Sequence, residues 1–188
     1  MANNKDNVLS AKPAATGGIW MAPANTTAPT DATTALGNDF VCLGYIDEDG
    51  VTNAPEFETE DKKAWGGDIY ATNQTSYSET YKWKMVETTV DIMKLIYGDD
   101  KVSATAASGG NPATMSVSHS GVEREEHVFV IETVAGVNKI RRVVIPHGKL
   151  SEIGEIAYND SDALGYEITI KALVDGSGNS SYEYFSGV

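Results

Sequence analysis

The sequence predicts a mainly β protein: a β-sandwich or barrel with one short flanking α-helix, an extended N-terminal arm and a long loop. Three observations carry this expectation. Short runs of alternating apolar and polar residues recur with turn signals between them. One segment, residues 88–98, combines helical spacing with caps at both ends. Residues 1–38 are rich in Ala, Thr, Asn and Pro and carry almost no periodic apolar pattern.

Residues 1–38 therefore read as a flexible arm, ordered only against a partner or simply frayed. Gly18-Ile19-Trp20-Met21-Ala22-Pro23 is the exception, an apolar patch able to dock as a strand, and Trp20 favours docking. Residues 39–188 form the single domain. Phe40 to Ile46 reads as a strand containing a buried, reduced Cys42, closed by the turn residues Asp47-Glu48-Asp49-Gly50. From Asp39 to Asp61 there are eight acidic residues and no basic one, and Pro55 argues against a central strand. This region is expected as an edge strand or an extended loop, and residues 47–75 as a segment for assembly. Gly66-Gly67-Asp68 marks a sharp turn.

Ser76 to Glu87 is the clearest strand, with Tyr77, Tyr81, Trp83 and Met85 on one face and Ser78, Lys82 and Lys84 on the other. Trp83 reads as core. The helix follows, with Thr88 or Thr89 as N-cap, Asp91 in its first turn and Gly98 as its stop. It is too short to stand alone in water and must pack on a sheet. Ser108 to Pro112 is a loop, and Met115 to Ser118 a short strand. His127 to Val134 and Lys139 to Ile145 form a hairpin across Ala135-Gly136-Val137-Asn138. Val128, Phe129, Val130 and Ile131 are apolar on both faces, the mark of a strand buried between two layers. Tyr166 to Ala172 alternates as another strand, and Tyr182, Tyr184 and Phe185 lie in an aromatic last one.

Composition narrows the function. The 188 residues carry 27 acidic and 14 basic side chains, a formal net charge of -13. Nucleic-acid affinity comes largely from Lys and Arg neutralising phosphates, so specific DNA binding is not expected. The same charge suits either ordinary solubility or a surface past which DNA slides. One cysteine makes no internal disulfide. No signal-peptide pattern and no stretch of membrane-spanning length stands out, so no membrane association is expected. The sequons at Asn25, Asn73, Asn159 and Asn179 mark polar loops.

No reactive constellation emerges. His127 and His147 can approach across their hairpin near Glu125 and Glu126, but without the ligand number or spacing of a metal site they read as surface histidines. Asp47 to Glu58 has the length of a calcium loop, but its Gly50 comes too early and Val51 stands where an oxygen ligand belongs. Gly109-Gly110 lacks the following Lys-Ser/Thr of a phosphate loop, and there is no nucleophile elbow. No catalytic residue, cofactor or metal is expected.

The text GYIDEDGVTNAPEFETEDKKAWGGD, followed by TSYSETYKWKMVETTVDIMKLIYGDD, resembles the major tail tube protein of long-tailed, non-contractile bacteriophages. The likeness runs from Gly44 to Asp100. It lies in a Gly-Tyr-Ile strand, an acid-Gly-Val-Thr turn, an acidic run before Lys-Ala-Trp-Gly, and a Val-Glu-Thr helix entry ending in Tyr-Gly. The remainder fits through its β content.

The resemblance implies hexameric rings that stack helically into a hollow tube around a tape-measure protein. Tail terminator and baseplate or distal tail proteins would close its ends, and DNA would pass through the lumen without specific binding. It implies a virion protein of the phage tail, made in the host's bacterial cytoplasm. Candidate contacts between subunits are Trp20, Asp47, Asp49, Glu58, Glu60, Asp61, Trp65 and Asp68. Trp65 is the candidate anchor, since aromatic residues dominate interface hot spots. The alternative is a carbohydrate- or receptor-binding β-sandwich of a phage baseplate, which needs a solvent-facing aromatic platform.

Overall fold

The alternation that begins near Ser76 becomes the second arm of a long hairpin at one edge of the main sheet. A computed structural model describes residues 3–4, 7–136 and 138–187. Met1, Ala2, Lys5 and Asp6 of the expected arm, Val137 of the expected turn and Val188 lie outside the described residues.

The strands run in chain order as β1 (Lys12–Pro13), β2 (Ile19–Pro23), β3 (Val41–Cys42), β4 (Ile46–Lys63) and β5 (Ile69–Met85). The helix α1 (Val90–Tyr97) follows, then β6 (Val102–Thr105), β7 (Thr114–Val117), β8 (Glu126–Val134), β9 (Ile140–Ile153), β10 (Tyr166–Ala172) and β11 (Tyr182–Ser186). One nine-stranded sheet is hydrogen-bonded in the order β3-β2-β8-β9-β10-β5-β4, with β1 also on β8 and β11 also on β9. β6 and β7 pair separately. The expectation of a mainly β, sandwich-like fold with one short helix holds.

Two apolar clusters lie on opposite faces of the sheet. The larger contains Ile19 and Met21 of β2, Phe129 and Ile131 of β8, Val143 and Ile145 of β9, Ile168 and Ile170 of β10, Tyr81, Trp83 and Met85 of β5, and the buried side of α1. A sheet whose inner strands and one edge all reach a single cluster must wrap around it. The smaller joins Ala22, Val128, Val130 and Val144 to Phe40, with Trp20, Ala28, Leu36, Tyr182 and Tyr184 packed against it. β8 thus divides its side chains between the two clusters, as its unbroken apolar run predicts.

The helix forms where its caps predict. Thr89 is the N-cap, its hydroxyl accepting from the Ile92 amide at 3.3 Å. Asp91 lies in the first turn, and Gly98 ends the helix at φ 101°. Ile92, Met93, Leu95, Ile96 and Tyr97 are buried.

The segment expected as a flexible arm contributes β1 and β2 to the sheet, with Ile19 opposite Ile131 and Trp20 opposite Val130. Residues between β2 and β3 then cover the outer face. The guanidinium of Arg142, only 3% exposed, holds them there. It donates to the carbonyls of Asp31 at 2.8 Å and Thr34 at 2.9 Å while pairing with Glu132. Asp31 turns the chain by accepting from the amides of Thr33 and Thr34, both at 2.6 Å. Hydrogen bonds from the Thr34 side chain and these amides hold its carboxyl far below the usual carboxylate range.

Two further expectations are corrected. The strand expected over Phe40 to Ile46 breaks after Cys42, because Gly44 turns at φ 73° against Glu87. A Cβ there would sit 2.5 Å from Glu87 Oε1. Of the edge strand or extended loop expected over residues 47–75, the loop is not found: the segment is the paired body of β4 and β5, with β4 at the sheet edge. Asp47 to Gly50 bulges out of β4 between the pairs Ile46↔Met85 and Val51↔Trp83, with Gly50 at φ 68°.

Candidate assembly interface

β4 and β5 are 18 and 17 residues long, yet only Glu79 to Met85 of β5 pairs with β10. Beyond Glu79 the two strands pair only with each other, from Pro55↔Glu79 to Lys63↔Ile69. At about 3.4 Å per residue this ribbon projects roughly 30 Å from the body. Its turn closes with Ala64 N–H donating to Asp68 O at 2.8 Å and Gly67 N–H to Ala64 O at 3.0 Å. Gly66 and Gly67 take φ 121° and 98°, which residues bearing a Cβ rarely adopt.

A network at its base fixes the ribbon to the body. Glu79 is 6% exposed and accepts from Asn53 Nδ2 and Tyr81 Oη, both at 2.9 Å, from Ser181 Oγ at 3.0 Å and from Ser180 Oγ. Burial alone would raise its pKa, but these hydrogen bonds outweigh that and hold the carboxyl below its ordinary value. Burial chiefly pushes the Tyr81 phenol up. The anion has no cationic partner among the described residues; neutral donors from β4, β5 and the segment before β11 hold it.

The ribbon carries apolar side chains in solvent. Trp65 at its tip is fully exposed, and Phe57, Ile69 and Tyr70 are all more than half exposed. Phe57 and Tyr77 pack across the strands with ring centroids 5.0 Å apart and planes tilted by 47°. Ser76 donates to Glu58 and Thr72 to Asp61, each at 2.8 Å. A two-stranded ribbon is marginally stable by itself, and clustered exposed aromatics mark contact surfaces.

A family model described as phage tail tube protein matches residues 1–186. The chain belongs to the phage tail tube protein family. It is a structural protein of the phage tail. Among solved structures, the anti-feeding prophage cap, a tube-terminating cap studied by cryo-EM, is similar at 10% identity with a TM-score of 0.44, covering 97% of this chain and 98% of that one. No curated protein matches the chain significantly.

In this tail tube protein the ribbon gathers most of the residues singled out from sequence. Asp47 and Asp49 lie in the bulge at its base, where Asp47 pairs with Lys84 at 3.3 Å. Glu58, Glu60 and Asp61 lie along β4, and Trp65 and Asp68 in the tip. Trp20 stands apart on β2, half-buried against the outer cluster of its own subunit. Phe57, Ile69 and Tyr70 are the residues sequence reasoning missed. Tyr77, on one face with Tyr81 and Trp83 as expected, is 41% exposed because β5 has left the body by that point.

The histidines do not converge on a shared partner. His147 Nδ1 lies 3.2 Å from Glu126 Oε2. His127, expected at the surface, packs beside Phe129 with its Nδ1 buried and unpaired among the described residues, and burial lowers its pKa. No group of three or more His, Cys, Asp or Glu placed to hold a metal ion occurs among the described residues. None of their helices is long and apolar enough to cross a membrane.

Proposed function

We propose that this chain is the major subunit of a long, non-contractile phage tail. It assembles as hexameric rings stacked helically into a hollow tube around a tape-measure protein. Terminator and distal tail or baseplate proteins cap the ends, the tube resides in the virion, and DNA leaves through the lumen. The supporting observation is the projecting β4–β5 ribbon with exposed aromatics on a member of the tail tube family. On this reading Asp47, Asp49, Glu58, Glu60, Asp61, Trp65 and Asp68 lie at or near contacts between subunits, and so does the half-buried Trp20 on β2. A net charge of -13 per subunit supports a lumen that repels DNA.

Contact between stacked rings is heterologous, so it propagates instead of closing. A subunit of this kind stays monomeric in dilute solution if ordering its contact segments opposes early growth. Electron microscopy of concentrated protein tests the reading: rings or tubes with a central hole are expected. Dispersed particles that bind glycans would instead favour the baseplate-module alternative.

A further inference from the structure

The ribbon tip has a feature that residues along the stem lack. Lys62 and Lys63, both exposed, lie just before Trp65 in the order Lys62-Lys63-Ala64-Trp65, and form no ion pair among the described residues. After the acidic run from Asp39 to Asp61, these two lysines put positive charge beside an exposed aromatic at the tip, where Asp68 is the one carboxylate of the turn.

A groove of about 550 Å³ opens at the other end of the same ribbon. Its floor is apolar, with Ile19, Ile131 and Val143, and Cys42 lies in its wall. Asp47, Glu48, Glu87 and Glu132 line it against a single Arg141. Arg141 is already engaged by Glu183 at 2.5 Å, Glu132 by Arg142, and Asp47 by Lys84. Glu48 and Glu87 have no cationic partner among the described residues; Glu87 only accepts from the Tyr45 amide, at 2.7 Å. The groove is thus apolar inside with spare negative charge, the complement of Trp65 with Lys62 and Lys63. Its volume falls in the range of roughly 300–1,000 Å³ for pockets that enclose compact groups, enough for one indole and adjoining backbone.

The tip cannot enter its own groove. Val51 and Asn53 line the groove where the ribbon begins, and the paired strands carry Trp65 roughly 30 Å from there. We propose that the groove receives the β4–β5 tip of a second copy of this chain. Trp65 enters over Ile131 and Val143, and Lys62 and Lys63 meet Glu48 and Glu87. Knob and socket at separate places on one molecule generate a head-to-tail contact that repeats without closing on itself. This rests on the tube reading above and names the seat of its contact.

Cys42, the only cysteine, makes the seat testable. Ala64→Cys puts a thiol beside Trp65 and leaves the indole in place. Mild oxidation of assembled protein should give a ladder of disulfide-linked chains on non-reducing gels, lost when Cys42→Ser is added. Tubes that form with both thiols unlinked, or dimers joined tip to tip without Cys42, would overturn the seat and leave the tube reading intact. Failure of the unsubstituted protein to form any tubes would overturn both. As a second route, Lys62→Glu with Lys63→Glu should abolish tubes, and adding Glu48→Lys should restore them in part. Unchanged assembly after the double reversal would also overturn the proposed seat.

Discussion

Replacing Glu79 by Ala should lower the stability of the folded subunit by about 2–4 kcal/mol. The size follows from the partners it would strand. The Ser180 hydroxyl is buried and loses its partner, while the buried Tyr81 hydroxyl keeps only Ser181 Oγ at 3.0 Å, and a buried donor left unsatisfied costs about 1–3 kcal/mol. Asn53 and Ser181 sit nearer the surface and can turn to water, so they add little. Removing a buried charge returns part of the loss, because its desolvation no longer opposes folding. Glu79→Gln keeps the shape and one acceptor and should cost about 1 kcal/mol. The contrast should depend on pH. The carboxyl's pKa is lowered in the folded state, so its contribution is fully present above the unfolded value of about 4.3. It is lost as pH falls through the depressed folded value. Urea unfolding of the three proteins at neutral pH and at progressively acid pH reads this directly. If Glu79→Ala shifts stability by less than about 0.5 kcal/mol, or the gap between wild type and Glu79→Gln ignores pH, the reasoning about this network is wrong.

Other parts of the structure make separate predictions. Arg142→Met leaves the Glu132 carboxylate and the carbonyls of Asp31 and Thr34 without their donor, and should destabilise by about 3–5 kcal/mol in chemical denaturation. A loss under about 1 kcal/mol would show that this side chain does not fix the segment between β2 and β3. Gly148→Ala would drive a methyl against the fully buried Phe129, 2.7 Å from its Cε2, and should cost about 1–3 kcal/mol; an unchanged unfolding midpoint would refute that close packing. Trp65→Ala should preserve the circular dichroism and melting of the monomer yet impair tube formation, and normal tubes would remove Trp65 from the interface. Amide exchange in the distal ribbon, residues 56–77, should be fast in the monomer and slow after assembly; strong protection before assembly would contradict a segment that waits for a partner.

Local signals in the sequence make much of the body legible. The Thr89 cap, the Gly98 stop, the apolar run of β8 and the alternation of β10 each act over a few residues, and each appears where its chemistry puts it. The ribbon was harder to read because its strands bury no face. Without a core to impose alternation, Glu56 to Lys63 looks like an acidic loop, and only pairing with β5 makes it a strand. The arm misled for the opposite reason. Lys12 and Pro13 carry no pattern and are strand only because β8 offers an edge. Glu79 did carry a signal, since it shares parity with Tyr81 and Trp83 and so faces inward. Its partners Ser180 and Ser181 lie more than 100 positions away, beyond any local pattern.

The central claim is that the β4–β5 ribbon joins one copy of the chain to the next in a hollow tube. Cryo-EM reconstruction of tubes grown from the concentrated protein tests it most directly. The prediction is a helical stack of six-subunit rings around an open lumen, with each ribbon buried against a neighbouring subunit. A reconstruction in which residues 56–77 project freely into solvent, or a closed oligomer with no continuous channel, would contradict it.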